Sequence, residues 1–314
     1  ISLGLVGSEM CIRDRNTSDI VAVTSRSFSK NKVLIKELKS RYKHVILNDD
    51  GISLKGKALI EFLQDSNKVI VGLETFNTEI LDQLPKLQVI SKYGVGLNNL
   101  DLEAIQARNI RLGFTPGVNK RPVAELTIML MLTALRKTHV SLANIKEGIW
   151  SQERGNELSF KTIGIIGFGH VGKLVAEFLT PFSCEVLAYD QDPEIYQVPL
   201  EDILQQSDII SIHLPLTDAT KNLINKDNLR QCKDDVKIIN TARGGIVNED
   251  DLLLFLQDNP KAFGAFDVFD NEPNHTSPLF DLTNFYATSH LGSMTEEGVI
   301  AMGLAAIEGL DQNT

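Results

Sequence analysis

The chain predicts an α/β protein built from two doubly wound, mostly parallel sheets, one domain inserted into the other. Three observations carry this. Apolar strand-like runs alternate with helix-patterned ones from residue 19 to residue 113, enough for one complete small domain. A second alternation opens after Phe160 with a β-branched run that turns through glycines into a helix. The closing stretch, Thr295 to Leu310, has helical spacing and is read as returning to the first domain, which makes that domain discontinuous. The expected division is 16–118 with 293–314, and 119–292. A chain of 314 residues has room for two separate cores.

In order, the first domain should contain strand Asp19 to Thr24, helix Lys32 to Tyr42, strand His44 to Leu47 and helix Lys55 to Gln64. Strand Lys68 to Gly72, helix Thr78 to Leu84 and strand Leu87 to Ser91 follow. A glycine turn, Tyr93-Gly94-Val95-Gly96, then leads to helix Leu100 to Arg108 and strand Ile110 to Gly113. Pro116-Gly117 breaks the pattern, and Pro122 suits the first turn of a long helix. That helix, Val123 to Val140, is apolar nearly all round, so burial is expected, between domains or against a second subunit. Trp150, the lone tryptophan, is either an anchor for a partner or an ordinary packing residue. The second domain adds apolar, strand-like segments at Glu185 to Asp190, Asp208 to Thr217, Val236 to Asn240, Ala262 to Asp267 and Asn284 to Thr288, with a helix at Glu249 to Leu256.

Composition narrows the function classes. Hydrophobic content of 43% and charged content of 23% are those of an ordinary globular protein. A formal charge of −10 argues against a nucleic-acid surface, but leaves room for a local cationic site that binds a small anion. The three cysteines, Cys11, Cys184 and Cys232, form no metal-binding spacing, so idle thiols in a reducing cytoplasm are expected, with no metal. No apolar run reaches membrane-spanning length. Residues 7 to 15, Gly-Ser-Glu-Met-Cys-Ile-Arg-Asp-Arg, resemble a translated sequencing-adaptor tag. Residues 1–15 are therefore set aside from the fold as an artefact, a disordered arm being the alternative.

The chemistry begins at Thr162 to Gly172, where a strand runs into Gly167-Phe168-Gly169-His170-Val171-Gly172 and then into a helix. Glycine triplets also mark ordinary turns. The strand–Gly-x-Gly-x-x-Gly–helix order, however, is what a dinucleotide fingerprint requires. Gly167 makes the turn, Gly169 lets a pyrophosphate approach, and Gly172 lets helix and strand pack closely. The new helix turns its unpaired N–H groups towards phosphate. The next strand ends in Asp190, an acid placed to accept hydrogen bonds from both ribose hydroxyls and to repel a 2′-phosphate. No Arg or Lys follows in Gln191-Asp192-Pro193, so the expected cofactor is NAD.

Ligands of open α/β sheets bind beyond the carboxyl ends of strands, and three strand-end clusters stand there. In Asn240-Thr241-Ala242-Arg243-Gly244-Gly245, an arginine among small residues can offer its planar fork to a carboxylate; an interdomain salt bridge is the competing reading. Phe266-Asp267-Val268-Phe269-Asp270-Asn271-Glu272-Pro273 sets three acids behind a buried strand, where turn-capping competes with catalysis and is preferred for Asp270. Ser289-His290-Leu291-Gly292 places a histidine, the commonest general acid/base, after an apolar strand. Lone histidines are more often structural, but His290 has the best claim of the six; His170 and His213 fall near the glycine turn and are read as cofactor contacts.

These four motifs, in this order and at this spacing, resemble the D-isomer-specific 2-hydroxyacid dehydrogenase family, closest to its D-3-phosphoglycerate dehydrogenase branch. The resemblance covers roughly residues 19 to 312. It implies a Rossmann cofactor domain inserted into a discontinuous flavodoxin-like substrate domain, with the active site in the cleft between them. It also implies hydride transfer between NAD and C2 of a D-2-hydroxy or 2-keto acid, D-3-phosphoglycerate being one candidate. By the same likeness, Arg243 grips the substrate carboxylate and carbonyl, His290 carries the proton, and Glu272 bonds and polarises the imidazole. Asp267 would hold the nicotinamide carboxamide; His170 and Val171 would meet the pyrophosphate; Thr241, Ala242 and Gly292 would add further cofactor contacts. In the first domain, amides of Val95 and Gly96 would hold the substrate carboxylate. Lys92, where many relatives carry Arg, would meet a distal phosphate or carboxylate, a solvated lysine being the alternative. Asn98-Asn99 departs from the usual Asp-Asn pair. Further expectations are a homodimer through the Val123–Val140 region and, because this branch often carries an added C-terminal regulatory domain, a short form lacking it. The competing readings are a glyoxylate/hydroxypyruvate reductase or phosphite-type dehydrogenase of the same family and, in another class, an NAD(H)-sensing corepressor-like protein.

Overall fold

The computed structural model describes residues 16–192 and 198–311. The segment 1–15, set aside above, and Cys11 with it, lie outside the described residues. The chain divides into two compact units, residues 1–118 with 299–314, and residues 119–298. The second crossing lies inside the final helix.

The first unit runs β1 (Asn16–Val23), α1 (Arg26–Lys30), α2 (Lys32–Arg41), β2 (Tyr42–Leu47), α3 (Gly56–Leu63), β3 (Lys68–Val71), α4 (Thr78–Asp82), β4 (Val89–Lys92), α5 (Leu102–Ala107) and β5 (Arg111–Gly113). Its parallel sheet has the order β2-β1-β3-β4-β5. Strand residues alternate between two cores because side chains on a strand point to opposite faces in turn. Ala22, Val69, Val71 and Ile90 pack with Leu59, Leu63 and Ile105 on one face. Val21, Val23, Ile70 and Val89 pack with Phe28, Leu34, Leu38 and Ile307 on the other. Both faces being covered, the strands read as unbroken apolar runs rather than as alternating ones. Helix starts are fixed by short polar side chains: Asn31 accepts from the amides of Val33 and Leu34, Asn77 from Ile80, and Asp101 from Ala104. Each such cap contributes about 1 kcal/mol.

The second unit contains α6 (Lys120–Arg136), α7 (Thr138–Lys146), β6 (Thr162–Ile166), α8 (His170–Leu179), β7 (Glu185–Tyr189), α9 (Leu200–Gln206), β8 (Ile209–Ile212), α10 (Lys226–Leu229), β9 (Lys237–Asn240), α11 (Glu249–Asp258), β10 (Phe263–Phe266) and β11 (Phe285–Ala287). α12 (Glu296–Glu308) begins in this unit and ends in the first. The parallel sheet has the order β11-β10-β9-β8-β6-β7, so the chain reverses its direction of travel between β6 and β8. That reversal is the crevice in which ligands of such sheets sit. Ile163, Ile165, Ile209 and Ile239 face α6 and α8 residues such as Leu130, Met131 and Val175. Ile166, Ile210, Ile212 and Ile238 face Ile203, Leu204, Leu252 and Leu256.

The long helix expected over 123–140 is two helices. Lys137 adopts φ 52°, in the left-handed region, and its amide closes α6 on the Thr133 carbonyl. Ala124, Leu130, Met131, Ala134 and Leu135 of α6 pack into the core against its own sheet, while Met129 stays 40% exposed. α7 contributes no buried residue at all, and Leu142, Ile145, Ile149 and the 85%-exposed Trp150 lie open to solvent.

Candidate active site

The glycine turn follows β6, at the reversal point of the sheet. Gly167 has φ 98° and lies against the backbone of His213, and Gly172 lies against the Gly167 carbonyl; neither place has room for a Cβ. Gly169 differs. A Cβ there would meet nothing within 4 Å, so the backbone at this point is open to a ligand. α8 begins at this residue, and among the described residues no side chain caps it, leaving its first-turn amides for a ligand. His170 and Val171 are the first residues of that helix. Asp190, just past β7, closes the turn: its Oδ2 accepts from the Phe168 amide at 2.6 Å and its Oδ1 from Asp192 at 3.0 Å. An open glycine, an uncapped helix and a carboxylate beside them fit the pyrophosphate and ribose of a dinucleotide.

His213 floors the turn. Its amide donates to the Ile166 carbonyl at 2.7 Å, and its Nε2 pairs with the buried Ser211 hydroxyl at 2.9 Å. Burial pushes the imidazole down to about 3, so the ring is neutral at physiological pH and acts as a fixed polar wall.

Beyond β9, Asn240 shapes the next segment by accepting from the Ala242 amide (3.1 Å) and donating to the Arg243 carbonyl (2.9 Å). Thr241 is buried and shares a hydroxyl–hydroxyl bond of 2.9 Å with Thr127 of α6. Arg243 donates through Nη1 to the Ala242 carbonyl at 2.6 Å. Burial lowers its pKa and the charge of Glu272 opposes that, yet a guanidinium remains a permanent cation.

Beyond β10, Glu272 works in two directions. Its Oε1 accepts from the Phe269 amide at 2.9 Å, and its Oε2 meets His290 Nδ1 at 2.6 Å. Burial pulls its carboxyl upward, but the bonds from His290 and Phe269 and the charges of His290 and Arg243 outweigh it, so Glu272 titrates below the usual range. His290 moves the opposite way: its bond to Glu272 raises it above its ordinary 6.5, against the pull of burial and of Arg243. With Nδ1 tied to Glu272, the other ring nitrogen is the one left for a substrate oxygen. Gly244 rests on the backbone of Phe269 and Asp270 with no space for a side chain, which locks the Arg243 segment to the Glu272 turn. Glu249 Oε1 braces the same turn by accepting from the Asp270 amide at 2.7 Å.

Arg243, Glu272 and His290, drawn from three strand ends, are thus gathered in one place within the second unit. Lys92, Val95 and Gly96 belong to the first unit, at the carboxyl end of β4. Lys92 is 5% exposed, and its ammonium donates to the Gly72 carbonyl (2.5 Å) and to Asn99 Oδ1 (2.8 Å). Neither a solvated lysine nor an outward-reaching one describes it. Asn99 in turn bonds the carbonyls of Gly72 and Glu74, a bracing role that the sequence did not signal. Asn99, Glu249 and Thr288 are the residues missed; polar side chains on turns are too common for spacing alone to single them out. Among the described residues no group of His, Cys, Asp or Glu is arranged to hold a metal ion.

Residues 128–292 match the description "D-isomer specific 2-hydroxyacid dehydrogenase, NAD binding domain". The chain belongs to this family. Its cofactor is NAD. It is 36% identical over 283 residues to human D-3-phosphoglycerate dehydrogenase, covering 85% of this chain and 53% of that protein. Identity to a hydroxypyruvate reductase of Thermotoga maritima is 33% over 266 residues, covering 81% of this chain and 87% of the reductase. An NAD+-bound 3-phosphoglycerate dehydrogenase structure from Entamoeba histolytica superposes with a TM-score of 0.78 at 29% identity, covering 93% of each chain. The chain spans about half the length of the human and chimpanzee phosphoglycerate dehydrogenases it matches. Within the family, the dinucleotide turn and the trio are the parts that this chain's own geometry supplies.

Proposed function

We propose that the chain is an NAD-dependent oxidoreductase interconverting a D-2-hydroxy acid and its 2-keto acid. The observation that carries this reading is the 2.6 Å pairing of His290 with Glu272 beside the Arg243 guanidinium. NAD supplies the hydride acceptor or donor when bound. Gly167, Gly169, His170, Val171, Gly172 and Asp190 would hold its pyrophosphate and ribose, with His213, Thr241, Ala242, Asp267 and Gly292 towards the ring. Arg243 offers a charged fork to the substrate carboxylate and steadies the oxygen at C2. In reduction, protonated His290 gives its proton to that oxygen; in oxidation, neutral His290 takes it back, and Glu272 stabilises the resulting cation. Val95 and Gly96 amides would add to the grip on the carboxylate. Lys92 would shape the carbonyls and Asn99 near that turn rather than reach out for a phosphate.

D-3-phosphoglycerate is the first substrate to try, on the likeness to the human enzyme. Hydroxypyruvate and glyoxylate come next, because the Thermotoga reductase aligns over most of its length. Following NADH consumption across a panel of 2-keto acids tests the reading. Turnover on none of them, with NADH still bound, would favour the sensor class instead.

The trio also sets a pH dependence. Reduction needs protonated His290, so reductive kcat/KM should fall as pH rises through the raised histidine pKa, and oxidative kcat/KM should rise over the same interval. Glu272→Gln removes the principal cause of that rise, so both limbs are expected to move to lower pH. Limbs that stay in place would mean that another group titrates.

Self-association is proposed through α7 and Trp150 rather than through α6, which buries Ala124, Leu130, Met131, Ala134 and Leu135 in its own core. Leu142, Ile145, Ile149 and Trp150 form an apolar run that nothing among the described residues covers. The double variant Ile145→Asp, Trp150→Asp should run as a monomer in light scattering while the parent runs as a dimer. A monomeric parent removes the idea. A cytoplasmic setting is proposed from the free thiols of Cys184 and Cys232; in addition, no described helix is long and apolar enough to cross a membrane.

A further inference from the structure

The loop that carries His290 is held from inside by one side chain. Asp267, at the end of β10, is 1% exposed. Its Oδ1 accepts from the Thr288 hydroxyl at 2.6 Å and from the Leu291 amide at 2.7 Å, its Oδ2 accepts from the Gly292 amide at 2.8 Å, and its carbonyl accepts from the His290 amide at 2.9 Å. These bonds bracket His290 on both sides. The histidine needs the bracket, because its φ of 57° lies in the left-handed region, where a non-glycine residue stays only if its surroundings hold it. Its ring has a separate tether, the Nδ1 contact with Glu272. One arm therefore fixes the ring and another fixes the backbone beneath it.

We propose that Thr288 and Asp267 form a clamp that positions His290 for proton transfer, with the Thr288 hydroxyl as the element that acts on the loop through Asp267. The proposal rests on the reading of His290 as the acid/base. The Thr288 bond is a short O–H···O bond to a carboxylate oxygen, the stronger kind. Removing the hydroxyl leaves a buried acceptor one donor short, which costs more than the bond itself contributed. A carboxylate offers about four lone-pair sites, so Asp267 can hold the loop and still accept from a bound carboxamide. The charged groups of the second unit that face the imidazole are Glu272 and Asp267, which follow β10, and Arg243, which follows β9.

The test compares Thr288→Val with Thr288→Ser in the full chain. For Thr288→Val, kcat should drop roughly 10- to 100-fold, the loss that a misplaced reacting group brings, with the NADH dissociation constant held within about twofold. The alkaline limb of the reductive profile should move to lower pH as the imidazole drifts from Glu272. Thr288→Ser, which keeps the hydroxyl, should stay within about threefold of the parent on the same reasoning. In the ligand-free protein, amide exchange at Leu291 and Gly292 should speed up in the valine variant and not in the serine one. If Thr288→Val does not accumulate, Thr288→Ala is read in the same way. A valine or alanine variant with parental kcat and parental exchange overturns the clamp, and so does a serine variant as impaired as valine. If the parent reduces no 2-keto acid, the proposed activity falls, while the exchange comparison still decides whether the clamp exists.

Discussion

Replacing His290 with alanine is expected to lower kcat by about 10²- to 10⁴-fold, the range spanned by a positioned general acid/base, with little change in NADH affinity. The reason lies in the arrangement of the ring. Glu272 fixes Nδ1, so the proton has one route out, and among the described residues no second titratable side chain shares the bond with Glu272. The variant should also lose the limb that distinguishes reduction from oxidation, becoming flat where the parent slopes. Stopped-flow single turnovers with NADH and the best 2-keto acid would measure the chemical step directly. A near-normal rate would refute the assignment. Because Glu272 keeps its bond from the Phe269 amide, the turn should survive the loss of the imidazole.

Arg243→Ala carries the second large effect. The guanidinium is mostly buried and offers a two-pronged donor to the substrate carboxylate, so its loss removes both affinity and orientation. A fall of roughly 10³-fold in kcat/KM is expected, shared between the two constants. Arg243→Lys should recover little, since a point charge on a flexible stem cannot reproduce the planar fork. Oxamate or a similar unreactive 2-oxo carboxylate would check the binding half by calorimetry. If the alanine variant binds it as tightly as the parent does, Arg243 does not hold the carboxylate.

Much of this was legible in the residues. Two parallel sheets followed from apolar runs such as Lys68-Val69-Ile70-Val71 and Ile209-Ile210-Ser211-Ile212, which can be unbroken only when both faces are covered. The dinucleotide turn showed itself because close packing forbids a side chain at Gly167 and Gly172, and such positions cannot vary silently. Other elements stayed hidden for physical reasons. The short α1, α9 and α10 lack enough turns to display a helical period. The break at Lys137 uses a left-handed lysine, where the usual signal would be glycine. The left-handed backbone of His290 gave no sign either, because the bonds that sustain it come from Asp267, some twenty residues away along the chain. Lys92 looked like a surface cation because nothing in Lys92-Tyr93-Gly94 reveals that Asn99 and the Gly72 carbonyl await its ammonium.

The seat of Gly244 on the Phe269–Asp270 backbone has a consequence for how a chain of this kind can diversify. Arg243 and Glu272 travel on segments that touch without a side chain between them, so neither can be re-aimed without moving the other. Under the proposed function the reacting end would behave like a cast die, recognising the one arrangement common to every such acid, a carboxylate next to the carbon that exchanges hydride. Relatives named for phosphoglycerate and for hydroxypyruvate share that arrangement and differ in the rest of the molecule. Preference for one acid over another must then be written in side chains outside this ledge. Engineering of substrate range should leave residues 243–245 and 267–273 alone.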